Sequence, residues 1–195
     1  MATTVLSARP MSAILARLTM SRARSASRRS LRACIRANPY AIAGYVCRFE
    51  TISRNGGTGE FETIAPGAFR QALAENQWFA QVNHNRHAPM LARTSERTLL
   101  LEEDHLGLWG ELCLYGAGGD RVFDVVGRGD CKMSFEWWST NSACYVYHGI
   151  RTFTRLDAAE ISLIPPPAQP RFAGTWILPM ARALAERARL GGGRA

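Results

Sequence analysis

At 195 residues the chain has room for one well-buried domain and little for a second. Its apolar fraction of 47% is ordinary for a globular protein. No apolar run approaches the ~20 residues needed to span a bilayer, so no membrane partner is expected. The formal charge of +8 suggests a polyanion partner until it is located: residues 1–37 carry eight arginines and no acid, and the body from Asn38 onward holds 16 basic and 16 acidic residues.

The excess therefore belongs to a tail. Residues 1–37 mix Ser, Ala and Arg around a short helical pattern, Met11 to Met20, and read as a basic, disordered arm. Nucleic acid is a partner only through this arm, and that binding would weaken steeply with salt. The arm has no uninterrupted apolar stretch of the secretory kind, while its Arg- and Ser-rich composition also suits an organellar transit peptide. Five cysteines (Cys34, Cys47, Cys113, Cys131, Cys144) with no Cys-x-x-Cys fit reduced thiols better than a disulfide framework.

Past the arm, Ala41 to Phe49 has strand content, and Ser53 to Gly59 is a loop rich in turn residues. Glu60 to Ile64 is a short extended piece. Ala65 to Glu75 reads as a helix with Pro66 in its first turn and Phe69 and Leu73 facing the core. Trp78 to Asn83 is a strand that delivers His84 to its end. Thr98–Glu102 and Leu106–Leu114 form a hairpin around Asp104-His105. Gly116 to Gly119 is a turn, with Asp120 placed to cap a short helix through Val126. Cys131 to Trp138 is the central strand, and Tyr145–His148 with Arg151–Leu156 form a hairpin about Gly149. Ala159 to Ile164 is the last strand, stopped by three prolines, and Met180 to Leu190 suits an amphipathic helix. Seven or so strands, mostly neighbours in sequence, predict an α+β fold on a mostly antiparallel, barrel-like sheet. The domain would span residues 38–172, followed by a helical tail over 173–195.

The central strand carries the most informative residue. Alternation puts Ser134 and Glu136 on one face and Met133, Phe135 and Trp137 on the other. A serine becomes a nucleophile when a histidine takes its proton and a third group holds the imidazole. The candidate bases are His84, His87, His105 and His148. The candidate acid is Glu160, which is costly to bury alone. From spacing alone it reads first as an ion-pair partner of Arg151, Arg155 or Arg171. His84 and His87 with Cys131 or Cys144 are a possible metal set, although the spacing fits no compact zinc pattern. Cys131 is an alternative nucleophile or a core thiol. No phosphate-binding loop or dinucleotide fingerprint is present, and no cofactor is expected.

Several stretches together resemble one family. Gly44-Tyr45, then Ile64-Ala-Pro-Gly-Ala-Phe69, Val82-Asn-His-Asn85, Lys132-Met-Ser-Phe135, and Leu156 to Ile164 followed by Pro165–Pro167 are similar, in order, to the tailed-phage prohead maturation serine proteases. The resemblance covers roughly Ala41 to Pro170. It implies a β-barrel flanked by helices, related to the herpesvirus capsid proteases. It also implies cleavage of the major capsid and scaffold proteins, and of the chain itself, within the procapsid in the host bacterial cytoplasm, with a homo-oligomer possible. Residue by residue it makes Ser134 the nucleophile, His84 the general base and Glu160 the third member. Lys132 and Glu136 stand where the family tends to have glycine, two residues before and after the serine. A second reading keeps the fold but makes the chain a catalytically weak capsid-assembly or scaffold protein. A third makes it a nucleic-acid binder through the arm.

Overall fold

The computed structural model describes residues 26–114 and 119–191. Two sheets pack face to face. The first comprises β10 (Trp176–Pro179), β1 (Ala41–Arg48), β7 (Gly107–Cys113) and β6 (Leu99–Glu103), in that order and all antiparallel. The second is built on β9 (Ile150–Ile164). Along one edge β9 pairs antiparallel with β8 (Lys132–Tyr147). Along the other it pairs in parallel with β3 (Phe61–Ile64) at its start and β4 (Phe79–Val82) at its end. Short strands β2 (Ser53–Arg54) and β5 (Ala92–Arg93) complete this sheet beside β3 and β4.

The main core lies between the sheets. Ile42, Val46, Leu101, Leu112 and Ile177 from the first meet Ala80, Met133, Phe135, Ile161 and Leu163 from the second. Burial of this kind contributes about 25 cal/mol per Å² of apolar surface removed from water. A second cluster covers the outer face of the first sheet: Ala43, Tyr45, Trp109 and Cys113 pack under Ile35, Met180 and Ala183. Those three residues come from two helices, α1 (described over residues 26–36) and α4 (Met180–Gly191). Two shorter helices, α2 (Arg70–Glu75) and α3 (Gly119–Gly127), lie against β9 and β10 respectively.

The α+β class and the mainly antiparallel pairing are as expected, but the sheet does not close into a barrel. Among the described residues no ladder joins the two sheets, and β8 keeps one edge unpaired. Two parallel pairs, β3–β9 and β4–β9, also enter a sheet expected from sequence-adjacent strands.

Residues 26–36, read as part of a disordered arm, form α1, because Leu31 with Ile35 and Arg28 with Arg32 and Arg36, each spaced four apart, present apolar and basic groups that the first sheet can use. Ile35 is buried, and Arg36 makes a two-pronged contact with Glu111, a fully buried carboxylate, at 3.0 and 2.5 Å. Arg32 bonds Glu102 at 2.5 Å. Residues 176–191, beyond the expected domain end, belong to the same body through β10 and α4. The helical pattern at Met11 to Met20 and the turn over 116–118 lie outside the described residues.

Other boundaries moved for local reasons. The helix expected over 65–75 begins only at Arg70, because Gly67 takes a left-handed φ of 88° that no helix accommodates. The two strands expected over 131–138 and 145–148 are one, β8, interrupted by a bulge between Trp138 and Ala143. There Ser142 Oγ donates to the Trp138 carbonyl at 2.7 Å.

Candidate active site

The site sits on the outward face of the second sheet, where β9 lies between β4 and β8. Register places Gln81, Ser162 and Ser134 abreast, and one pleat further Phe79, Glu160 and Glu136. Residues directly opposite on neighbouring strands have Cβ atoms about 4.5–5.5 Å apart. The intervening residues Met133, Phe135, Ile161 and Leu163 point into the core. Four polar side chains on this face are buried (Ser134 is 6% exposed, Glu160 3%, Gln81 1% and Ser162 0%), while Glu136 at the edge is exposed.

His84 reaches this face by a turn in the backbone. After β4, Asn83 and His84 both adopt a left-handed φ of 53°, a region that Asn and His enter more readily than most residues. The Asn83 N–H donates to the Leu163 carbonyl at 3.0 Å, and the His84 N–H donates to Ser162 Oγ at 2.8 Å. The chain is thereby folded back over β9, and His84 Nδ1 comes to 2.9 Å from Glu160 Oε2. The Ser162 hydroxyl donates to the other carboxylate oxygen, Oε1, at 2.5 Å. Ser162 thus grips both the backbone of the histidine and the side chain of the acid.

Electrostatics follow from this contact. The hydrogen bond that His84 donates to Glu160 raises the imidazole pKa above the ordinary histidine value. Burial opposes the shift, while the charges of Glu160 and Glu136 add to it. With Nδ1–H donated to Glu160, Nε2 is left as the proton acceptor. Ser134, His84, Asn83 and Glu136 line a common open cleft of about 1200 Å³, and Ser134 Oγ has no hydrogen-bond partner among the described residues.

The alternatives held open by the sequence separate here. Arg151 pairs with Glu60, Arg155 donates to the Asn141 carbonyl, and Arg171 pairs with Glu62, so none of the three meets Glu160. His87, His105 and His148 are exposed. Burial pushes the Cys131 thiol up to about 11, which keeps it protonated and a poor nucleophile. Among the described residues no group of three or more His, Cys, Asp or Glu is gathered as a metal site, and no helix is long and apolar enough to cross a membrane.

The residues flanking Ser134 have partners of their own. Lys132 Nζ bonds Gln169 Oε1 at 2.7 Å, and Glu136 Oε2 meets Arg86 Nη2 at 3.0 Å. Glu136 is therefore occupied by an arginine. Ser162 is the residue that sequence reasoning missed. Its only local signal was a serine two places after Glu160, on the same strand face.

The family model described as caudovirus prohead serine protease matches residues 27–182. No curated protein and no solved structure matches the chain.

Proposed function

The chain belongs to the caudovirus prohead serine protease family, and from that premise we propose that Ser134, His84 and Glu160 form the catalytic triad of an endopeptidase acting in phage head maturation. The observation that carries this reading is the His84–Glu160 contact in the cleft that Ser134 also lines. In this reading His84 Nε2 takes the Ser134 proton as Oγ attacks the scissile carbonyl. Glu160 orients the imidazole and stabilises the imidazolium. Backbone N–H groups at the cleft wall hold the oxyanion. His84 then gives the proton to the leaving amine, and the acyl group on Ser134 is released by water, again with His84 as base.

The substrates on this reading are capsid and scaffold proteins, with the chain itself a further one, and the place of action is the procapsid inside the host. The test is covalent labelling by a fluorophosphonate followed by peptide mapping. Labelling of Ser134 that disappears in Ser134→Ala and falls at least a hundredfold in His84→Ala supports an active triad. An unlabelled Ser134 in folded protein supports the catalytically inert assembly role instead.

A further inference from the structure

Ser134 stands on a strand with no strand neighbour on one side. β8 pairs with β9, and among the described residues no ladder forms along its other edge. Such an edge gives a nucleophile no backbone pairing to fix its place, although a displacement of about 1 Å can cost a reaction about a hundredfold. What steadies this edge is residues 171–175, an irregular segment that belongs to neither sheet. The two residues that flank Ser134 in the chain are each held by it. The Met133 N–H donates to Thr175 Oγ1 at 3.3 Å, and the Phe135 ring stacks on Phe172, with centroids 5.5 Å apart and planes 9° from parallel. Thr175 and Phe172 are both buried.

The segment is itself anchored. Arg171 makes a two-pronged contact with Glu62 on β3, Nε to Oε2 at 2.8 Å and Nη2 to Oε1 at 2.6 Å. Its guanidinium also lies over the ring of Trp137, on β8, at 4.4 Å. Glu62 is buried and accepts a further bond from Asn55 Nδ2 at 3.2 Å. At the same corner the Ala173 N–H donates to Ser53 Oγ on β2 at 2.8 Å. One arginine thus links the segment to β3 and β8. A buried ion pair is weak evidence for stability, because an apolar pair of similar volume often does as well. What a planar, bidentate arginine adds is a fixed geometry. Arg171 and Glu62 line the same cleft as Ser134, so that geometry is supplied at the site.

We propose that residues 171–175 are a brace that sets the position of Ser134, with Arg171 and Thr175 as positioning residues for the nucleophile. The proposal rests on the protease reading above and adds what holds the serine at an unpaired edge. Loosening the brace slows attack by Ser134 Oγ and leaves the histidine–acid pair as it was. That pair is held separately, by the turn after β4 and by Ser162 on β9.

The test is the rate of fluorophosphonate labelling of Ser134 in the full chain, followed against pH, beside urea unfolding of the same variants. Arg171→Lys keeps a charge opposite Glu62 but loses the second prong and the flat stack on Trp137. Its plateau rate should fall about tenfold, with the pH midpoint unmoved. The double variant Arg171→Met with Glu62→Gln leaves no buried charge alone and should be as slow in folded protein. Thr175→Val leaves the Met133 N–H without its acceptor and should also slow labelling about tenfold, whereas Thr175→Ser should recover most of the rate. Variants that lose urea stability yet label at the wild-type plateau overturn the inference and leave the protease reading intact. So does a plateau that falls only together with a shifted midpoint, or equal rates for Thr175→Val and Thr175→Ser. A wild-type Ser134 that takes no label overturns both.

Discussion

His84 Nδ1 and Glu160 Oε2 are 2.9 Å apart although 76 positions separate them in the chain, and the contact exists because β4 and β9 run parallel. An antiparallel pairing would have carried the end of β4 away from the last residues of β9. The parallel pairing brings both C-terminal ends together, so that one tight turn lays the imidazole over the carboxylate.

The first prediction concerns pH. On the proposed triad reading His84 must be neutral to accept a proton, and its hydrogen bond to Glu160 holds its pKa up. Activity should therefore rise with pH through a midpoint above the ordinary ~6.5. Stability runs the other way. A group whose folded pKa is raised contributes fully below its unfolded pKa and loses that contribution as pH climbs through the folded value. The contribution is small here, since the His84 side chain is 33% exposed. Glu160→Gln should lower the midpoint of fluorophosphonate labelling and slow its plateau by about 10²–10⁴. A midpoint unmoved by the substitution rejects the assigned pairing.

Ser162 should behave as a positioning residue. Ser162→Ala leaves the His84 N–H without its acceptor and Glu160 Oε1 without its donor. The cost should be about 1–3 kcal/mol in urea unfolding, with labelling slowed roughly a hundredfold by misplacement of the imidazole. Ser162→Thr restores the hydroxyl and should recover much of the rate, whereas the isosteric Ser162→Val should not. Equal rates for Thr and Val would remove Ser162 from the site.

The docking of α1 depends on Glu111, which has no solvent exposure and is held by Arg36 and by Trp109 Nε1 at 3.0 Å. Arg36→Ala strips most of the charge pairing from a buried carboxylate and should cost about 2–3 kcal/mol, discounted for the part of Arg36 that faces water. Replacing both partners, Arg36→Met with Glu111→Leu, should recover only part of the loss, because no buried carboxylate is then left alone but Trp109 Nε1 loses its acceptor. If the single change leaves the urea midpoint where it was, α1 is not held by this pair.

Gly44 marks a place where backbone meets backbone. A Cβ there would run into the Trp176 carbonyl oxygen of the neighbouring strand β10. Gly44→Ala should separate β10 from β1 and cost about 3 kcal/mol or more. Gly127→Ala, with nothing near its added methyl, should be neutral or mildly stabilising. Thermal unfolding of the two variants side by side checks the contrast.

Much of this architecture is legible in a linear reading. Strand alternation at Met133-Ser134-Phe135-Glu136 sorts the core face from the polar face without any fold, since a strand's period is two. The strand read over Trp78 to Asn83 does deliver His84 to its end, although β4 stops at Val82 and the turn begins one residue early, at Asn83. The order of family-like stretches from Gly44 to Pro167 identifies the lineage. Element ends were less legible where one residue decides them, as at Gly67, or where an interruption such as residues 139–142 is absorbed into a continuous strand.

The sequence by itself placed Ser134 on the strand face opposite Met133 and Phe135 and put His84 at the end of an apolar strand, because local periodicity acts over a few residues. Only the tertiary structure decided which partner each charge takes. Glu160 meets His84 and not an arginine. Arg32 and Arg36 leave the basic arm to bind Glu102 and Glu111. Ser162 joins histidine to acid. Partner choice for a buried charge is set by strand register and burial between distant segments, and no property of the neighbouring residues encodes that.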